Sequence, residues 1–483
     1  MNAHRSSKPG PKERAFLDAL RQLFIGAKVD GQSGYINLMK IKASYFQHMV
    51  EPTFLDDVEG VVDLFPDFRE ELFDKLHAFF SRYFSRSGSI CFAYTPQHMS
   101  VYEKVYTDER DVVLFWKTHM LYYVKTDRIF RDLKMDVDGQ GFFFDCSTLV
   151  LKKNNEKREV VFTFDKVEKD GTIRLFAAYS EKGRITKTEE ILKALKKAGR
   201  PVKEAALEKA TRVFNRQNEV DYFINKDAGG FLREQFDLWM YQYVFKDETR
   251  WTPDRIRQLQ ELKTLAFKLI EFIAQFEDEL VRIWNKPKFV RNSRYVITLD
   301  RIAARDGGIA VIADLIKSKG MKDQIAEWIA LGIVEPGFAP ASILSGKGKT
   351  AALAKEWQSL PIDTSYFKPL ELAILNLFDN LDDAIDGRLI KSENYQALNT
   401  LREKFKGRVK FFYIDPPYNT GEDEFAYMDS YQRASWLSMM NDRLALGRSA
   451  LQNTGVIISS IGREEIPNIK QLLADVYGED NWL

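Results

Sequence analysis

VKFFYIDPPYNTG, residues 409–421, joins a short apolar run to a polar loop built on two consecutive prolines. Val409 to Ile414 is bounded by polar residues, the pattern of a buried parallel strand. Asp415-Pro416-Pro417-Tyr418 then falls at the carboxyl end of that strand, where open α/β sheets place their ligands. An ordinary Pro-Pro turn is the plainer reading, and the strand-end placement counts against it.

The residue types in this loop suit one kind of chemistry. An exocyclic amine on a nucleobase is a poor nucleophile, because its lone pair is delocalised into the ring. Asp415 can accept one of its hydrogens and the carbonyl of Pro416 the other, which favours a pyramidal nitrogen facing an electrophilic methyl. Two prolines fix the local backbone and remove competing N–H donors, so the acceptors are set in advance. Tyr418 offers a flat face for a flipped-out base.

Downstream, Leu437, Met440, Leu444 and Leu451 predict a helix with one apolar face, ended by Asn453-Thr454-Gly455, and VIISSI (456–461) predicts the next buried strand. Upstream, SGKGKT (345–350) resembles a phosphate-binding loop, but Ile343 stands where its first glycine is required, and a nucleotide-triphosphate site is rejected. RIWNKPKFVRNSRY (282–295) carries Arg282, Lys286, Lys288, Arg291 and Arg294 with no acidic residue, and Trp284, Phe289 and Tyr295 are interleaved. It reads either as a phosphate-contacting segment or as a solvated loop anchored by its aromatics. Before it, Thr252 and Pro253 predict the start of a long helix whose Leu259, Leu262, Ala266, Leu269, Ile273, Phe276, Leu280 and Ile283 form a heptad seam. The seam closes on a helix of the same chain, the favoured reading, or on a second subunit. Residues 181–216 hold eleven Lys or Arg against five Glu, as a solvated helix face or a DNA-contacting one. Residues 111–126, 141–151, 158–165 and 172–180 read as strands, with a turn at Lys153–Lys157. Four domains are expected: a helical region (1–87), an antiparallel β or α+β module (88–180), a helical region with the long helix and the basic segment (181–359), and a catalytic segment (360–483).

Composition sets the class. The 483 residues are 45% hydrophobic and 13% aromatic, enough for several packed cores and against a disordered chain. With 71 basic and 70 acidic residues the net charge is +1, which excludes a globally basic nucleic-acid coat but not local patches. Two cysteines, Cys91 and Cys146, cannot build a disulfide framework or a cysteine zinc site, and favour a reducing cytoplasm. No signal peptide is read at the start, and no apolar run approaches the roughly 18 residues of a membrane span. No metal site is expected, and no membrane partner.

GRLIKSENYQALNTLREKFKGRVKFFYIDPPYNTG (387–421) resembles the catalytic start of amino-methyltransferases of the N4-cytosine/N6-adenine DNA class, more narrowly the β-class adenine enzymes that include Type III restriction-modification subunits. LPIDTSYFKPLELAILNLFDNLDDAIDG (360–387) resembles the lead-in of a long-N-terminus branch, and Trp436, Met440, Arg443 and Leu444 extend the similarity downstream. The resemblance implies that Asp415, Pro416, Pro417 and Tyr418 grip the target adenine, and that Ser392, Glu393, Asn394 and Asn419 lie beside S-adenosyl-L-methionine. Lys286, Lys288, Arg291 and Arg294 are the candidate DNA contacts. Double-stranded DNA is the expected partner, with a restriction/helicase subunit, a C-terminal companion polypeptide and a homodimer as further ones. The expected fold class is α/β: N-terminal helical and α+β modules followed by an incomplete Rossmann-like methyltransferase domain.

Two departures qualify this. Relatives commonly carry an acidic pair where Gly462-Arg463 stands here, which puts a cofactor contact from that loop in doubt. In the β class a cofactor-binding Phe-x-Gly-x-Gly comes last, after the target-recognition region, and no such motif occurs in this sequence. The expectation is therefore that this chain alone does not methylate DNA and that residues 360–483 are poorly ordered in isolation. Competing readings are a methyltransferase acting on cytosine N4, RNA or a glutamine amide, and a DNA-binding or assembly subunit without turnover. Asp at 415 favours adenine over the first of these. A nuclease is rejected, because Asp145 and Lys152 lack the middle carboxylate.

Overall fold

A computed structural model of the chain describes residues 10–25, 44–81, 120–128, 130, 132–149, 160–180, 185–247, 251–346, 348–420 and 433–481. Cys91, the Lys153–Lys157 turn and the first part of the 111–126 run lie outside them. The chain forms two compact units: Met1–Lys286 with Leu398–Leu483, and Pro287–Ala397.

In the first unit, helices α1 (Pro11–Ile25), α2 (Glu51–Leu64) and α3 (Arg69–Phe80) contribute to one apolar core rich in Phe, with Phe16, Phe54, Phe73, Phe79 and Phe80 fully buried. Strand β1 (Leu121–Arg128) precedes a four-stranded sheet of β2 (Leu133–Val137), β3 (Gln140–Asp145), β4 (Val160–Val167) and β5 (Ile173–Tyr179). Its order is β2-β3-β5-β4, antiparallel except for the parallel β3–β5 pair. Helices α4 (Thr188–Lys197) and α5 (Glu204–Asn218) lay Ile191, Leu195, Leu207, Ala210 and Phe214 on one face of that sheet, so the apolar side of the basic 181–216 stretch is core. Buried Cys146 belongs to this core, and burial pushes its thiol up to about 12.

Strand β6 (Glu219–Asn225) pairs antiparallel with β1, and α6 (Ala228–Asp247) follows. The long helix α7 (Pro253–Asn285) begins as its sequence predicts, with the Thr252 hydroxyl accepting from Arg255 N at 3.2 Å. Its seam residues Leu259 to Ile273 enter the same core as α1, α2, α3 and α6, so the seam closes within the chain. Arg255 also forms a two-pronged ion pair with Glu71 at 2.8 and 3.0 Å.

The second unit packs β7 (Val296–Thr298), α8 (Leu299–Ala303), α9 (Gly308–Lys317) and α10 (Gly320–Ala330) around Trp328, Ile312, Leu315 and Phe367. Strands β8 (Leu344–Ser345) and β9 (Ala352–Leu353) form a small hairpin, and β10 (Pro361–Asp363) pairs with β7. Gly346 and Gly348–Thr350 of SGKGKT lie between those two strands. Gly346 has φ +77, and a Cβ there would stand 2.4 Å from the Thr350 carbonyl oxygen, so its glycines serve the turn.

Helix α11 (Asn394–Phe405) leads to β11 (Val409–Ile414), α12 (Arg433–Ala450), β12 (Leu451–Ser459) and α13 (Ile466–Tyr477). Strands β11 and β12 are parallel. Helices α12 and α13 bury Trp436, Leu437, Met440, Leu444, Ile469 and Leu472 together with Leu121, Tyr123 and Phe223 of the β1–β6 pair. Two expectations differ here. β11 is less buried than its sequence predicts: Phe411 is 53% exposed and Tyr413 60%, because among the described residues one face and one edge of the strand are covered. Asn453-Thr454-Gly455 does not end the helix. It bulges inside β12, where Leu451 pairs with Val409 and Val456 with Phe411, so three extra residues loop out. A Cβ on Gly455 would come within 2.7 Å of the Leu451 side chain, which explains the glycine. Among the described residues no helix is long and apolar enough to cross a membrane.

Candidate active site at the end of β11

The loop Asp415–Thr420 leaves the carboxyl end of β11, beside the end of β12, whose Ser460 N donates to the Ile414 carbonyl at 3.0 Å. Asp415 is exposed at the strand's tip, and Pro416, Pro417, Tyr418 and Asn419 are half-buried. The loop is held by the side chains of Trp436 and Glu465. Trp436, fully buried in the first turn of α12, donates its Nε1–H to the Pro417 carbonyl at 2.9 Å. Asn419 has a left-handed backbone, φ +61, and its Nδ2 donates to Glu465 Oε1 at 2.8 Å. Asparagine tolerates that conformation better than other residues with a Cβ. Glu465 is buried, and its second oxygen accepts from Asn468 Nδ2 at 2.6 Å. Tyr418 lies over Gly462, where a Cβ would stand 3.2 Å from the Tyr418 Cβ. The glycine at 462 therefore makes room for Tyr418.

A hydroxyl cluster closes the site. Tyr413 OH and Ser460 Oγ are 2.6 Å apart. The Tyr418 hydroxyl neighbours the Asp415 carboxylate and Ser460. Desolvation raises the Tyr418 phenol above its usual range, and the Asp415 charge adds to the shift. The phenol thus stays a donor beside the carboxylate. An ionised carboxylate has about four acceptor positions, so this neighbour leaves room for an incoming amine.

The structure brings Asp415, Pro416, Pro417, Tyr418 and Asn419 into one loop. Ser392, Glu393 and Asn394 are exposed at the start of α11 and belong to the second unit, where Glu393 Oε2 accepts from Gln396 N at 3.0 Å and caps the helix. The basic residues lie on an extended, exposed stretch: Lys286 ends the first unit, and Lys288, Arg291 and Arg294 fall in the second. Arg294 is 3.5 Å from buried Asp363. Phe289 between them is 95% exposed, so it does not anchor the stretch. Among the described residues no cluster of three His, Cys, Asp or Glu could hold a metal ion.

Several residues of the site escape a reading of the sequence. Glu465 looks like one more surface acid before a helix, and Trp436 like a core residue. Only the fold shows their bonds to Asn419 and Pro417. Asp442 of α12 is likewise buried, 2.7 Å from Lys226, which follows β6. Burial pushes its carboxyl up to about 6, opposed by Lys226, by Arg443 and by a hydrogen bond from the Tyr123 backbone.

Residues 409–483 match the N6/N4 methyltransferase family model, described as DNA methylase. Over 95 residues the chain is 42% identical to the probable type III restriction-modification enzyme HindVI Mod subunit of Haemophilus influenzae, covering 20% of this chain and 13% of that protein. It is 30% identical over 122 residues to the type III StyLTI Mod subunit of Salmonella typhimurium, covering 20% and 19%. Against the type II methyltransferase M.EcaI of Enterobacter cloacae it is 31% identical over 154 residues, covering 31% and 30%. The chain spans less than a third of the length of each of these relatives.

Proposed function

We propose that this chain, whose residues 409–483 carry the DNA methylase family segment, is the catalytic part of a methyltransferase that modifies the N6 amine of adenine in DNA. The observation that carries this reading is the exposed Asp415, beside Tyr418 at the end of a parallel strand, in a loop with two proline carbonyls. A flipped adenine stacks on Tyr418, and Asp415 and the Pro416 carbonyl accept its two N6 hydrogens. The nitrogen lone pair would thereby be turned toward the methyl donor; as the new N–C bond forms and the donor's methyl–sulfur bond breaks, the Asp415 carboxylate would stabilise the positive charge on N6 and accept its proton. The β11–α12–β12 order supports a Rossmann-like sheet.

S-adenosyl-L-methionine supplies the electrophilic methyl when bound. The residues present suit it: a hydroxyl, a carboxylate and an amide at the exposed Ser392, Glu393 and Asn394 match its ribose and amino-acid groups. Lys286, Lys288, Arg291 and Arg294 are assigned to phosphate contacts. By their names two of these relatives are Mod subunits of type III restriction-modification enzymes, so the reading extends to a restriction-modification system with a restriction subunit as partner.

The test is transfer of labelled methyl from S-adenosyl-L-methionine to DNA, with the product base identified by mass spectrometry. N6-methyladenine is expected, and N4-methylcytosine would overturn the base assignment. Asp415→Ala should lower the rate by about 10²–10³ with DNA binding retained. A variant with near-normal turnover would remove Asp415 from the mechanism.

A further inference from the structure

Two consecutive prolines leave the loop without backbone donors at 416 and 417, so its carbonyls must be fixed from outside. Trp436 does this at the Pro417 oxygen, 2.9 Å from its Nε1. What fixes Trp436 is α12, and α12 is tied to a remote part of the chain. Asp442 on α12 is 5% exposed and accepts from Lys226 Nζ at 2.7 Å. The Lys226 ammonium also lies 4.6 Å from the centroid of the Tyr122 ring on β1, and its backbone N donates to the Met120 carbonyl at 2.8 Å. The Tyr122 hydroxyl accepts from Asn285 Nδ2 at 3.1 Å, and the Asn285 carbonyl accepts from Asn399 Nδ2 at 2.7 Å. Around this polar line, Leu121, Tyr123 and Phe223 share one buried cluster with Trp436, Leu437, Met439, Met440 and Leu444.

We infer that the β1–β6 pair is a positioning element for the catalytic loop: Lys226 fixes α12 through Asp442, and α12 fixes the Pro417 carbonyl through Trp436. A buried ion pair contributes little net stability after desolvation, but removing one partner leaves a buried charge, so the pair enforces one placement of α12 on the strands. The apolar cluster supplies the attraction and the ion pair the register. Lys226, Asp442 and Trp436 are positioning residues that touch neither base nor methyl donor. The inference rests on the proposed function only for its effect on turnover, and its structural half is measured separately.

The experiment uses the full chain and the variants Trp436→Phe, Lys226→Met, Lys226→Arg and Lys226→Met/Asp442→Leu. Hydrogen exchange is followed by mass spectrometry at 415–420 and at 433–450, beside methyl transfer to DNA. Trp436→Phe should speed exchange at 415–420 by about tenfold, the loss of roughly one hydrogen bond, and leave 433–450 protected. Lys226→Met should speed both segments, and Lys226→Arg should restore them. The double variant should recover protection at 433–450, because no charge is left buried. Where transfer is measured, Trp436→Phe and Lys226→Met should lower kcat by about tenfold with the KM for DNA little changed, as misplacement of a reacting group does. Unchanged exchange at 415–420 in both folded single variants overturns the inference. If Lys226→Met fails to fold, Trp436→Phe and the double variant still decide the outcome. A methylated base other than adenine would count against the proposed function, and the exchange result would still stand.

Discussion

The β2–β5 sheet and the β11–β12 pair both put helices on one face of a sheet, yet they treat their charges in opposite ways. In the four-stranded sheet, Arg174 on the outer face is ringed by Asp145, Asp165 and Glu168 and lies 5.4 and 5.6 Å from the Phe143 and Phe176 rings. Hydrogen bonds from Ser147, with help from Arg174, hold the buried Asp145 carboxyl below its usual range. Acid and base there are spent on each other. At the end of β11, Asp415 is exposed beside the hydroxyl of Tyr418. A carboxylate beside a neutral donor can still receive a substrate, whereas one closed by a guanidinium cannot. That difference separates scaffold from site within the first unit.

The strongest way to break the comparison is in the scaffold. Phe144 is fully buried, stacked 4.5 Å from Phe214 and edge-on to Phe162 at 5.3 Å. Phe144→Ala should cost about 3–5 kcal/mol in stability by chemical denaturation. Hydrogen exchange at 160–179 should rise while 433–477 keeps its protection, since the two cores share no buried residue. Equal loss of protection in both would show that they are one cooperative core.

Tyr418→Ala tests the site. Removing the ring should weaken capture of an extrahelical base by roughly 1–3 kcal/mol, read as weaker binding to DNA with an abasic site opposite the target. Tyr418→Phe keeps the ring and removes the hydroxyl beside Asp415, so it should spare binding and lower turnover. Equal effects of the two variants on binding would assign Tyr418 to orientation alone.

How much of the fold and the site is legible in the sequence follows from the type of signal. Proline, a strand run and a heptad seam are local patterns, so the DPPY loop, β11 and α7 can be read directly. The Thr252 cap is local too. The bulge at Asn453–Gly455 is not legible, because Asn-Thr-Gly is equally a helix stop, and only pairing with Val409 and Phe411 chooses between them. The burial of β11 is overestimated from sequence because a run of apolar residues does not say how many neighbours the strand has. Trp436, Glu465 and Lys226 act through contacts between residues far apart in sequence, and no spacing rule reports those.

Asp442 offers the finest test of how the site is tied to the rest of the chain. Its carboxyl titrates at about 6 in the folded protein against a reference of 3.8, so the folded state binds the proton more tightly than the unfolded one. A raised acid of this kind favours the folded state at low pH, and that contribution is lost as pH rises from about 4 to about 6. Deprotonation of Asp442, 2.7 Å from the Lys226 ammonium, creates the ion pair while exacting desolvation of the carboxylate. Asp442→Asn cannot titrate. The stability difference between variant and unaltered chain should therefore change with pH only across this window, by on the order of 1 kcal/mol for each pH unit crossed, and be level above about pH 7. Many other carboxylates titrate at low pH, but they cancel in the difference. A difference that is flat from about pH 4 to about pH 7 would mean that Asp442 is ionised throughout, and that α12 is seated by the apolar cluster with no help from its charge.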